Sequence, residues 1–141
     1  MIMPGSLPAF STDISIDSRG RAAHVLHGGD DQMITDDQMR ERLRATKPYT
    51  IVILHKTPKT TEPGSDKIIW EHGRRNFELS AEGSLAIVCP VRDDSDVCGL
   101  CIFTTNEEET RKIMDGDPGV RAGIFTYEIH PTRSFPGSKL S

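Results

Sequence analysis

The chain has 141 residues, of which 35% are hydrophobic and 27% are charged, and its formal net charge is −4. These values are typical of one globular domain with a sizeable core. Acidic and basic residues are interspersed and no long apolar run occurs, so the composition argues against nucleic acid as a partner and against a membrane span.

Two further features bear on location. Residues 1–10 lack the charged and apolar regions of a secretory signal. The three cysteines, Cys89, Cys98 and Cys101, all lie in apolar runs, which predicts reduced and buried thiols. We therefore expect a cytoplasmic protein.

Residues 1–47 differ in pattern from the rest of the chain. Most of this segment lacks a helical or strand period, so we predict a partly ordered N-terminal extension. Its end is better defined, because acidic residues precede basic ones over 36–46, which suits the dipole of a short helix. Pro48 is expected to end that helix.

From residue 48 onward, apolar runs and turn residues alternate regularly. Asp66 is a plausible N-cap of the longest helix, and Gly83 is a plausible stop. The polar segment 92–96 reads as a turn between two strands. The predicted elements are a strand over 49–56, a helix over 66–83, strands over 85–91 and 97–103, a helix over 105–116 and a strand over 123–130.

The order β-α-β-β-α-β is that of a ferredoxin-like fold of the α+β class. Right-handed crossovers place the four strands antiparallel in the order 4-1-3-2. The two helices then cover one face of the sheet, although the central strands are apolar on both faces. Because residues 1–47 are too polar to cover the other face, we predict a homodimer that pairs through this open sheet face.

The same topology brings His72 and Asp117 to one end of the sheet. The helix face that we expect to point at the sheet carries His72 together with Ile69, Asn76 and Leu79. A partly buried histidine beside a carboxylate that fixes its tautomer is what a general acid and base requires. The alternative is a packed core histidine, with Asp117 merely capping the turn that begins at Pro118.

Three segments resemble the YCII-related (YciI-like) family over residues 48–137: YTIVILHK, WEHGRRNFELSAEGSLAIVCPV and IMDGDPGVRAGIFTYEIHPTRSFPG. The resemblance implies a YCII-like ferredoxin-like domain over 48–137, a tail over 138–141 and a dimeric α+β barrel similar to muconolactone isomerase. It also implies a catalytic pair, His72 in EHGRRNF and Asp117 in DGDPGV. The chain has Cys89-Pro90 where the family has Gly-Pro after its second strand.

The resemblance leaves the reaction open, since most members of the family have no assigned activity and one relative removes chloride from a hydroxylated aromatic ring. In an active site of this kind, His72 takes up and returns a proton while Asp117 orients its ring. Arg75 and Arg92 are candidates for holding an anionic substrate group, with surface charge as the alternative. Three aromatic residues are candidates for lining an aromatic pocket: Tyr49, Tyr127 and Trp70. The alternative is that they are ordinary packing residues.

Two functions remain compatible with these observations. The first is metal-free acid/base chemistry without a cofactor, namely isomerisation, elimination or dehydrohalogenation of a small organic molecule. The second is a non-catalytic dimer that binds a small molecule or a partner. The C-x2-C motif at Cys98 and Cys101 lacks the second ligand pair that a zinc site needs, and His24 with His27 precedes two glycines, so we predict no metal site.

Overall fold

The computed structural model describes residues 33–141 and the backbone of two short strands nearer the N-terminus. These strands, β1 (Ile14–Ile16) and β2 (Ala22–His24), pair antiparallel, which the sequence pattern did not predict. The remainder of the predicted extension before Met33 lies outside the described residues, as does His27. This strand pair belongs to the compact unit Met1–Asp36, and the four-stranded sheet and the site belong to the unit Asp37–Ser141.

The larger unit is built on a four-stranded antiparallel sheet with the strand order β4-β5-β3-β6. Read from the other edge, this is the predicted order, so the α+β, ferredoxin-like βαββαβ topology is confirmed. Among the described residues, no helix combines the length and apolar character that a membrane crossing requires. The elements are α1 (Asp36–Arg44), β3 (Lys47–Lys56), a 3-10 helix (Pro58–Thr61), α2 (Ser65–Glu82), β4 (Leu85–Pro90), β5 (Val97–Phe103), α3 (Glu107–Asp115), α4 (Pro118–Arg121) and β6 (Phe125–Ser134).

The start of α2 corrects one prediction. Asp66 is not the N-cap, because Gly64 occupies that position with a φ of 86° and the helix begins at Ser65. The Ser65 hydroxyl donates to the carbonyl of Lys59 at 2.6 Å, which ties the first residue of the helix to the preceding 3-10 helix. The predicted stop is confirmed, since Gly83 adopts a φ of 87°, a left-handed conformation that favours glycine.

The segment between α3 and β6 also differs from its predicted form. The residues after Asp117 form the four-residue helix α4, where the pattern indicated only a turn. One turn of helix is too short to show an apolar period in the sequence. Asp117 caps α4 and Pro118 is its first residue, and aspartate and proline are both favoured at these positions. Strand β6 then runs to Ser134 and pairs with β3 along its whole length.

The core lies between the sheet and the helices. On β3, the side chains of Thr50, Val52 and Leu54 are buried, while the alternate residues Ile51 and Ile53 are only partly buried on the opposite face. The central strands are therefore apolar on both sides, as predicted. The buried apolar residues from the other elements are Leu79, Leu85, Cys101, Phe103, Met114, Ile124 and Phe125.

Candidate active site

Helix α2 directs His72 toward the sheet. The side chains that face inward lie three to four residues apart, and they include Ile68, His72 and Leu79. Ile69, which we expected on this face, is instead 36% exposed. Each helical residue turns the chain by about 100°, so neighbouring isoleucines point in different directions and only packing decides which one is buried.

His72 and Asp117 form a direct hydrogen bond. The Nδ1 atom of His72 lies 2.7 Å from Oδ1 of Asp117, and the side chains are 14% and 1% exposed. The imidazole also packs against the ring of Phe125, with 4.9 Å between the centroids and 53° between the planes. Two contacts from different elements thus orient the ring of His72.

The second oxygen of Asp117 fulfils the other role considered for this residue. Oδ2 accepts from the backbone N–H groups of Gly119 and Val120 at 2.9 and 3.1 Å, which caps α4. Capping of α4 and contact with His72 are therefore compatible, because each uses a different oxygen. Since α4 fixes one oxygen, the other is held at His72.

The charge of this carboxylate determines the tautomer of the histidine. Burial raises the pKa of Asp117, but the hydrogen bond and charge of His72 and the two backbone donors outweigh burial, so its pKa lies below the ordinary value. An ionised carboxylate only accepts hydrogen bonds. Hence Nδ1–H of His72 donates to Asp117, and Nε2 carries the lone pair that can accept a proton.

Asn76 contacts that second nitrogen. Its Nδ2 atom lies 3.2 Å from Nε2 of His72, one helical turn further along α2. The spacing along α2 predicts Asn76 on the same helix face as His72, but the sequence alone suggested no role for it. The signal that identifies it is the spacing of four residues from His72, which brings two side chains together on one helix face.

Arg75 lies beside this pair, and its predicted role of holding an anionic substrate group stays a prediction. Its Nη1 atom lies 4.0 Å from Oδ1 of Asp117, and its side chain is 27% exposed. Arg92 lies in the exposed turn between β4 and β5. That turn reaches the end of the sheet at which β3 ends and β6 begins. There the backbone N–H of Lys56 donates to the backbone carbonyl of Asp96, and the backbone N–H of Thr57 donates to the backbone carbonyl of Ile124. A substrate-binding role for Arg92 stays a prediction.

The three aromatic candidates do not gather around His72. Trp70 is 71% exposed and lies on the outer side of α2. Tyr49 lines two surface grooves, one with Ile87 and Ile102 and one near the start of α3, and neither includes His72 or Asp117. The hydroxyl of Tyr127 donates to Asp115. The aromatic neighbour that the structure supplies is Phe125.

The cysteines are free thiols, as predicted, although only Cys101 is buried and Cys89 and Cys98 are partly buried. Burial raises the pKa of Cys101 to about 12 and also raises the pKa of Cys98, so both are protonated at neutral pH. Within the described part of the chain, no group of three histidine, cysteine or acidic side chains is arranged to hold a metal ion.

No family model matches the chain, and no curated protein sequence matches it. Among solved structures, the chain is similar to a 5-chloro-2-hydroxyhydroquinone dehydrochlorinase from Burkholderia phenoliruptrix in complex with 2,5-dihydroxybenzoquinone. The two are 16% identical with a TM-score of 0.40, and the match covers 60% of this chain and 91% of that chain. At this level of similarity, no residue role is transferred from one chain to the other.

Proposed function

We propose that this chain is a cytoplasmic YCII-related protein that performs metal-free acid/base chemistry on a small organic molecule. The reaction class is isomerisation, elimination or dehydrohalogenation. The observation that carries the proposal is the 2.7 Å hydrogen bond between Nδ1 of His72 and Oδ1 of Asp117, made by a carboxylate that is only 1% exposed. A buried, ionised carboxylate places the lone pair of the imidazole on Nε2, the nitrogen that acts as the base.

In the proposed reaction, Nε2 of His72 accepts a proton from a carbon or hydroxyl of the substrate. The electron pair left behind forms a new double bond, either by shifting within the molecule or by expelling halide. The imidazolium then returns the proton to another atom of the product or to water. Asp117 remains ionised throughout and stabilises the imidazolium through Nδ1–H, as the carboxylate of a catalytic triad does.

Two neighbours of His72 support a proton cycle. The amide of Asn76 presents an N–H donor to neutral His72, and rotation of that amide presents its oxygen to the imidazolium. Arg75 holds a positive charge 4.0 Å from Asp117 while remaining partly exposed, so it can attract an anionic substrate group. We assign Arg75 this binding role in the proposed site.

The proposal includes a homodimer that pairs through the open sheet face. Partly exposed apolar side chains line the two central strands on that face, among them Ile51, Ile53, Leu100 and Ile102. Removing apolar surface from water contributes about 25 cal/mol per Å², so a flat apolar face favours association. The small-molecule ligand is expected to bind at the edge of this dimer, at the His72 end of the sheet.

A second candidate function is non-catalytic binding of a small molecule. It is favoured by the contact between Asn76 and Nε2, because the nitrogen that a base needs is already occupied. It is also favoured by the limited 14% exposure of the His72 side chain. Catalysis requires that a substrate displace or turn the Asn76 amide, whereas binding alone does not.

One experiment separates the two candidates. Small lactones, hydroxylated aromatics and halogenated hydroquinones are incubated with the protein in D2O, while proton NMR follows hydrogen exchange, rearrangement and ligand line-broadening, and an electrode follows halide release. We expect turnover of at least one compound, its abolition in His72→Ala and an unchanged assembly of that variant. Line-broadening without turnover supports the binding function. A His72→Ala protein that is only less stable, with its turnover intact, contradicts the catalytic assignment.

A further inference from the structure

The outer side of α2 carries large apolar side chains in contact with solvent. Trp70 is 71% exposed and Phe77 is 76% exposed, and with Ile69, Gly73 and Ala81 they line a groove of about 740 Å³. At about 100° per residue, Trp70 and Phe77 point in nearly the same direction, and His72 points to roughly the opposite side. The groove is therefore separate from the candidate active site. Clustered exposed aromatics of this kind mark interaction surfaces.

Gly73 lies at the centre of this surface. Glycine is unfavourable in the interior of a helix compared with alanine, so its presence needs a reason. A Cβ atom added at Gly73 meets nothing within 4 Å, and hence no contact inside the folded chain requires the small residue. The notch between Trp70 and Phe77 instead allows the backbone of another element to approach α2 closely.

The charged residues beside the groove indicate which partner binds there. Four exposed residues on one flank alternate in sign along the helix: Lys67, Glu71, Arg74 and Glu78. Glu71 and Arg74 form an ion pair at 3.1 Å with both side chains more than half exposed. Turned end for end, the same row has the opposite sign at every position. An antiparallel copy of this helix brings the same flank of both helices together and matches Lys67 with Glu78 and Glu71 with Arg74.

We propose that α2 is a self-association surface on which a second copy of the chain docks its own α2 antiparallel, with the two helices crossing near Gly73. Trp70 of each copy then packs beside Phe77 of the other, and the two flanks exchange four ion pairs. This surface is distinct from the open sheet face and does not depend on the proposed function. An interface of one helix pair falls below about 1,200 Å², the size class of weak association.

Trp70 is a built-in probe of this contact, because it is the only tryptophan in the sequence. The full chain is examined over a range of concentrations by sedimentation velocity and by tryptophan fluorescence. We expect the emission of Trp70 to shift to shorter wavelength as the chain associates, with the same midpoint by both measurements. A dimer through the open sheet face leaves Trp70 exposed, so an association step without a shift in emission is assigned to that face. Trp70 emission that stays that of a water-exposed indole up to several hundred micromolar would overturn the proposal, as would a chain that stays monomeric over that range.

Charge variants test the antiparallel geometry. Glu71→Arg places like charges together twice, because the interface is symmetric, and we expect it to weaken association by about tenfold or more. Adding Arg74→Glu restores opposite charges at all four positions and should recover the wild-type affinity. The matched control is Glu108→Arg on α3, which breaks the exposed ion pair of Glu108 with Lys112 (3.3 Å) and should leave association unchanged.

A neutral variant keeps the test independent of charge effects on folding. Phe77→Ser alters a side chain that is mostly solvent-exposed, so the monomer should fold normally while association weakens by about tenfold or more. Equal affinity in wild type and Phe77→Ser, or failure of the charge swap to recover association, contradicts the proposal. Shielding of Trp70 in a monomer contradicts it as well, because the groove is then covered from within the same chain.

Discussion

Asp117 holds His72 through one carboxylate oxygen and begins α4 through the other. The two hydrogen-bonding roles belong to one nearly fully buried side chain, so its position is fixed by the backbone of α4 before it reaches the imidazole. His72 lies on a different element, and its orientation depends on that anchoring. Substitutions at Asp117 can therefore separate the charge of the residue from its capping role.

Asp117→Asn is expected to preserve the fold while disabling the pair. Asparagine caps helices about as well as aspartate, so the cost in unfolding free energy should be about 1 kcal/mol. The remaining amide N–H cannot accept from Nδ1–H, which favours the other tautomer of His72. Turnover of any substrate found should fall by about 10³-fold or more. Nitrogen NMR of the histidine ring checks the tautomer, and full turnover by this variant would contradict the assignment.

Asp117→Ala removes both roles, and the larger loss should appear in stability. The helix cap and the buried hydrogen bond together contribute about 2–4 kcal/mol. Urea unfolding of the alanine and asparagine variants measures the difference between them. If both variants unfold at the same urea concentration, the capping oxygen of Asp117 contributes nothing measurable.

The stability of the protein should depend on Asp117 at acidic pH. The folded pKa of Asp117 lies below its ordinary value of 3.8, so its stabilising effect is fully present above that value and is lost as the pH falls through the lower folded value. The wild type should lose unfolding free energy more steeply than Asp117→Asn below about pH 4. Urea titrations at several pH values test this. Parallel curves for the two proteins would show that Asp117 has no folded-state preference for ionisation.

Gly119 should tolerate no side chain. A Cβ atom there would overlap the ring of Phe125 and approach Oδ2 of Asp117 to 3.1 Å. Because Phe125 packs on His72, Gly119→Ala should disturb the site and destabilise the fold by about 1–3 kcal/mol. Gly116→Ala is the matched control, since its Cβ comes closest to the flexible end of Arg75, at 3.2 Å, and otherwise lies in ordinary contact with two backbone oxygens at 3.5 Å. Thermal unfolding of the two variants tests the contrast, and equal destabilisation would contradict it.

A second cluster of titrating groups lies on β3 and β6. Nε2 of His55 lies 2.6 Å from Glu128, which also contacts His130 at 3.0 Å, while Nδ1 of His55 lies 3.2 Å from Asp96. The hydrogen bond to Glu128 raises the pKa of His55 above 6.5, despite opposing desolvation. Hydrogen bonds from His130 and then from His55 lower the pKa of Glu128 below 4.5.

These shifts predict a bounded pH range of stabilisation. The contribution of His55 is fully present below 6.5 and is lost as the pH rises through its higher folded pKa. The contribution of Glu128 is present above 4.5 and is lost as the pH falls through its lower folded pKa. Glu128→Gln should therefore flatten the pH dependence of the unfolding midpoint at both ends. An unchanged profile in that variant would show that the cluster does not affect stability.

Local pattern was sufficient to predict the framework of this fold. Runs of β-branched and apolar residues marked all four strands of the sheet, and β5 was predicted with both of its bounds correct. The order of the elements and the handedness of crossovers then gave the strand order. Because those rules hold for any chain with this arrangement, His72 and Asp117 were expected at one end of the sheet.

Tertiary packing determined which side chains are buried and which residues they contact. Ile68 rather than Ile69 is directed inward. The two residues are equally apolar and one helical step of about 100° separates them, so their hydropathy alone does not show which one faces the sheet. Asn76 contacts His72, and Trp70 lies exposed on the outer side of α2 rather than beside His72. A period along the chain reports which residues share a face, but the depth of each side chain and the partner of each polar atom depend on elements far away in sequence.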